Sequence, residues 1–291
     1  MIDLLYIILP FFIVIFIGYF LAKVMKTDMS AMVNVVFYVG LPALIFTSML
    51  SEKIVLLGAV KIWAAAIIIT FGCGTVAWIV FRIIRQKHSG LYLPISLMNA
   101  AYIPFPIMHL VYGSEGLFAA TLFYIPNVLL MFSWGLYIAA GKYWRESIKE
   151  MFKVPTIYAA VAGLMFNFLD VAVPDLIVKS LNFIGMMVIP LVLLVLGYNL
   201  SAVKITSLPT TFLASFFRVG VGLFFGFLTA NLFDLTGVLR AVVILGSAMP
   251  AAVNASLIAT KYKNEADLVS SVVFVTTLAS LIVIPFLLHI I

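Results

Sequence analysis

Long apolar runs joined by short polar links dominate this chain. Ten of them, near 4–24, 32–50, 60–81, 91–112, 118–140, 155–172, 177–197, 208–230, 240–260 and 268–290, have roughly the length that an α-helix needs to cross a bilayer. Backbone groups in hydrocarbon must find partners inside the protein. The sequence therefore predicts an all-α integral membrane protein with ten transmembrane helices. Hydrophobic residues make up 65% of the chain and charged residues 10%, so no segment is left over for a soluble domain. The first run lacks a basic leader and a small-residue cleavage site, and reads as a retained helix. A single cysteine, Cys73, allows no intramolecular disulfide and no metal cluster; it reads as a small packing residue.

Charge placement predicts orientation. With ten spans both termini share one side. The opposite loops carry Lys23, Lys26, Arg82, Arg85, Lys87, Lys142, Arg145, Lys149, Lys153, Lys204, Lys261 and Lys263, against Lys53, Lys61, Lys179 and Arg240 on the terminal side. This bias puts both termini outside a cytoplasmic membrane. It also accounts for the net charge of +6 without any nucleic-acid partner; the basic loops face anionic lipid instead.

Two spans are interrupted at their centres. One reads Met98-Asn99-Ala100-Ala101-Tyr102-Ile103-Pro104-Phe105-Pro106, the other Met249-Pro250-Ala251-Ala252-Val253-Asn254. Proline removes a backbone donor and clashes with the preceding turn. Unwound backbone at membrane depth survives only where protein or a wet cavity surrounds it. Paired interruptions in two halves point to the binding site of a secondary carrier. The halves themselves are suggested by prolines: Pro10, Pro42 and Pro104 recur as Pro155, Pro190 and Pro250 at offsets of 145, 148 and 146. An odd number of spans per copy inverts the second copy. The expected division is a first five-helix repeat over 1–140, a cytoplasmic interfacial loop over 141–153 and an inverted repeat over 154–291.

These residues resemble the auxin efflux carrier superfamily, which holds plant PIN-type carriers and bacterial malate-permease-like proteins. The resemblance spans the chain and is sharpest at Gly40-Leu41-Pro42-Ala43-Leu44-Ile45-Phe46 and at Met249-Pro250-Ala251-Ala252-Val253-Asn254-Ala255. At 98–102 the asparagine is kept but the family's glycines are absent, and Tyr102 adds bulk. The resemblance implies that spans 4 and 9 break near Pro104 and Pro250 and cross at the midplane. It implies a scaffold of spans 1, 2, 6 and 7, often dimeric, and a transport unit of spans 3–5 and 8–10 moving as an elevator. Asn99 and Asn254 would hold a substrate carboxylate. Leu41 and Pro42, with Ile189 and Pro190, would wall the site or form packed kinks at the repeat interface.

Elementary chemistry is compatible with that picture. The second half of a broken helix begins with unpaired amides and a dipole that favours anions. Asparagine adds donors without fixed charge. Unwound carbonyls on the other side could instead coordinate Na⁺. Asn127, with Tyr124 beside Pro126, could reach the cavity or join helices. Arg218, the one basic residue near mid-span, could attract an organic anion or bond carbonyls at the crossover. All acidic residues fall at span ends or in loops, and His109 lies toward the outer end of span 4. Proton coupling is thus the weakest expectation. No motif suggests an enzyme, a metal site or a cofactor, and no filter motif suggests a channel. The expected activity is elevator-type transport of a small mono- or dicarboxylate by a homodimer. A sodium-coupled symporter of the bile-acid type is the alternative, with an ion channel behind it.

Overall fold

The computed structural model describes residues 2–26, 28–141, 149 and 151–291, with side chains from residue 8 onward. Most of the 141–153 link lies outside the described residues. The described chain is helical: α1 (Ile2–Val24), α2 (Ser30–Ser51), α3 (Leu56–Ile83), α4 (Tyr92–Ser96), α5 (Pro104–Ala140), α6 (Pro155–Phe168), α7 (Asp175–Ser201), α8 (Leu208–Leu232), α9 (Gly237–Ser247), α10 (Val253–Lys261) and α11 (Ala266–Ile290). By length and composition, α2, α3, α5, α7, α8 and α11 could each cross a membrane, and α6 and α9 are shorter apolar helices.

The α5 segment has 37 residues, about 55 Å if straight, more than one bilayer crossing requires. It folds back on itself at Gly113, whose φ of 61° suits glycine. A Cβ on Gly116 would lie 2.1 Å from the Met108 carbonyl oxygen, although eight residues in a straight helix span about 12 Å. The limbs are 104–112 and 114–140, so the expected link before residue 118 shrinks to one glycine.

Close helix approach organises the rest. The α1 and α7 helices pack along each other through Gly18 and Gly197, where added Cβ atoms would lie 2.1 Å from Leu194 O and 1.8 Å from Ile15 O. Asn167 ends α6 and ties it to α2: its Nδ2 donates to Met49 O (2.7 Å) and Glu52 O (2.8 Å), and its Oδ1 accepts from Ile54 N (3.1 Å). Pro42 follows a π-turn over Val36–Gly40, in which Leu41 N donates to Val36 O. Pro190 follows the irregular turn at Met187. Both prolines sit beside local distortions, as the loss of a backbone donor requires. Large apolar side chains such as Phe183 (82% exposed) and Leu176 (78%) face outward, the reverse of a water-soluble surface.

Candidate functional site

Residues 97–103 and 248–252 are the unwound stretches, each separating two helical pieces. They lie antiparallel. Asn99 N donates to Pro250 O at 2.8 Å, and Ala252 N donates to Leu97 O at 2.9 Å. The result is one isolated β-bridge between Met98 and Ala251. Proline explains the break, since Pro104 and Pro106 supply no amide at the start of α5 and Pro250 supplies none before α10. The mutual pairing explains why the break is tolerated, because it restores partners to part of the freed backbone. Ala251 N is satisfied separately, by Thr276 Oγ1 of α11 at 3.1 Å.

A narrow cavity of about 40 Å³ opens beside this crossing. Asn99, Ala100, Ala101 and Tyr102 line it from the first stretch, Ala252 from the second, and Val253 and Asn254 from the start of α10. Phe37 and Leu41 of α2 form an apolar wall, while Tyr124 and Asn127 come from the 114–140 limb of α5. Among the described residues, no charged side chain lines the space.

Its polar groups include one unpaired buried donor. Asn99 spends Oδ1 on Tyr102 N at 3.0 Å, while its buried Nδ2 has no partner. Asn254, half-buried, stands in the first turn of α10, where amides lack intrahelical acceptors. Asn127 donates Nδ2 to Phe123 O at 2.7 Å, which leaves Oδ1 as its remaining group. Tyr124 Oη lies 3.2 Å from Thr156 Oγ1, linking the cavity wall to α6. An anion would meet amide donors here, and the positive ends of two helices, without a fixed countercharge.

The structure thus brings together Asn99, Asn254, Tyr102, Leu41 and Asn127, with Pro104 ending one break and Pro250 inside the other. Three named positions fall elsewhere. Pro42 lines an outer groove with Tyr38 and Phe46, and Pro190 is exposed. Arg218 is fully buried but does not line the cavity. It leaves α8 at a π-turn over Phe217–Val221 and bonds carbonyls on the far side of the crossing. Of the two roles open to it from sequence, it performs the second. His109 is exposed, with Nδ1 3.3 Å from Gly113 O, and does not line the cavity either.

Sequence reading missed one cluster. Glu265 accepts from Gly90 N at 2.7 Å and pairs with His88, so the turn after α10 is clasped to the turn before α4. No local pattern marks such a contact.

The membrane transport protein family profile matches residues 142–288. The chain belongs to the auxin efflux carrier superfamily. Relatives extend this likeness beyond the profile match. An uncharacterized transporter of Methanocaldococcus jannaschii is 27% identical over 296 residues, covering 96% of this chain and 96% of its own. An uncharacterized transporter of Methanothermobacter thermautotrophicus is 28% identical over 293 residues, covering 96% of this chain and 95% of its own. This superfamily member is therefore a multi-pass, helical membrane protein of a transporter family, and its likeness to relatives includes both unwound stretches.

Proposed function

We propose that the chain is a secondary carrier that moves a small carboxylate across the cytoplasmic membrane, binding it at the crossover between Asn99 and Asn254. The observation that carries this reading is the unpartnered, buried Asn99 Nδ2 beside a cavity that Asn254 lines from the opposite stretch. A buried amide donor left unpaired costs about 1–3 kcal/mol. A carboxylate oxygen arriving in the cavity would relieve that cost, and its charge would face two helix starts.

Ten crossings follow if α4 with 104–112 forms one span, 114–140 the next, and α9 with α10 another. Helix packing supports two inverted halves. The α1–α7 contact has its counterpart in α6–α2, α3–α4 in α8–α9, and α3–α5 in α8–α11. Under that division α1, α2, α6 and α7 form a scaffold facing lipid and a second copy of the chain. The remaining helices carry the crossover and slide against the scaffold, with Phe37 and Leu41 as the stationary wall of the site. Basic loops face the cytoplasm and both termini face outward.

Counterflow in proteoliposomes tests the proposal. Vesicles preloaded with an unlabelled mono- or dicarboxylate should accumulate the same labelled acid transiently and saturably. Accumulation by none of a broad acid panel, from correctly inserted protein, would contradict the carboxylate reading. Leakage without counterflow would indicate a pore.

A further inference from the structure

Arg218 is a buried guanidinium without a carboxylate partner among the described residues. Its hydrogen bonds all go to backbone carbonyls. Nη1 donates to Ile95 O at 2.9 Å and more weakly to Ser96 O at 3.4 Å, and Nη2 donates to Ser247 O at 2.6 Å. Ile95 and Ser96 are the last two residues of α4, and Ser247 is the last of α9. One side chain therefore bridges the carboxyl ends of the first pieces of both broken helices. Those carbonyls lack intrahelical donors, and the dipoles there are negative.

The place is built for this side chain. A Cβ on Gly222 would lie 2.3 Å from Arg218 Nη2 and 2.4 Å from Ser247 O, so the guanidinium reaches Ser247 across a bare glycine. In broken-helix carriers, converging carbonyls and half-helix carboxyl ends are where a coupling Na⁺ is held. Here a fixed cation fills the equivalent position.

We propose that Arg218 is the resident cation of the crossover: it takes the seat that a sodium ion would occupy, and its removal opens that seat to Na⁺. The idea rests on the carrier reading only for its consequence, which is substrate movement without sodium. Guanidinium neutralises the two negative helix ends permanently, so the positive ends facing the cavity dominate the field that an anion meets. The bile-acid-type alternative requires a free cation seat, and these three carbonyls do not offer one.

Thermal melting of the purified protein in NaCl against choline chloride, at equal ionic strength, tests the assignment without a known substrate. The wild type should melt at the same temperature in both salts. Arg218→Lys, which keeps a cation, should also be indifferent. Arg218→Gln should melt lower in choline and recover by at least about 2 °C, saturably, in Na⁺, as ligand linkage requires. Saturable stabilisation of the wild type by Na⁺ would overturn the proposal, whether or not the Gln variant folds. A folded Arg218→Gln protein blind to Na⁺ would overturn it as well. Failure of the carrier reading would show separately, as absent counterflow with melting behaviour unchanged.

Discussion

Asn99 donates its backbone amide to the Pro250 carbonyl at 2.8 Å, and so joins the two unwound stretches with the same cavity-lining residue whose side-chain Nδ2 is buried without a partner. Asn99 Oδ1 also accepts from Tyr102 N at 3.0 Å within the unwound stretch, so its two side-chain atoms differ in environment.

Substitution at residue 99 should therefore split stability from transport. Asn99→Ala loses the hydrogen bond from Tyr102 N but also removes the unpaired buried amide, so the two effects offset and stability should stay within about 1 kcal/mol of wild type. Asn99→Ser can still accept from Tyr102 N through its hydroxyl but has no amide donor. Its melting temperature should approach wild type while substrate binding stays at least about tenfold weaker, the loss of roughly one hydrogen bond. Melting curves and equilibrium binding on the same samples check the pair.

Packing of α1 on α7 should be intolerant of any side chain at residue 197. A Cβ there would lie 1.8 Å from Ile15 O, a backbone atom that cannot rotate away. Gly197→Val should lower thermal stability by at least about 1–3 kcal/mol, as overpacking commonly does. Gly222→Ala should displace Arg218 instead, with its melting loss reduced in a double variant lacking the guanidinium.

The Glu265 clasp makes a graded prediction. Glu265→Ala removes the acceptor for Gly90 N and the partner of His88 together, and should cost about 1–2 kcal/mol. Glu265→Gln keeps an oxygen for Gly90 N and should cost less than half as much, because the half-exposed contact with His88 adds little. Melting temperatures of the two variants check the order.

The crossover was legible because asparagine and proline at mid-span are expensive in lipid, and expense marks position. Asn99, Tyr102, Asn127 and Asn254 could be named from that alone or with the family resemblance. Arg218 was visible as an intramembrane charge, yet sequence gives depth rather than direction, and its two roles differ only by rotation about α8. Pro42 and Pro190 mark distortions truly, but a distortion points its proline outward as readily as inward. The Glu265–His88–Gly90 cluster joins residues far apart in sequence, in polar turns where nothing local distinguishes a clasp from a solvated charge. Gly113 was hidden because one left-handed glycine replaced the loop that two adjacent spans normally need.

Asn254 gives the most direct test, since it lines the cavity and its side chain makes no hydrogen bond among the described residues that its loss could break. The measurement is counterflow of the transported acid by wild type and Asn254→Ala in matched proteoliposomes, with melting temperature recorded alongside. The account predicts unchanged melting, within about 0.5 kcal/mol, and counterflow reduced at least about tenfold. Wild-type counterflow by a normally folded Asn254→Ala protein would contradict carboxylate binding at the crossover.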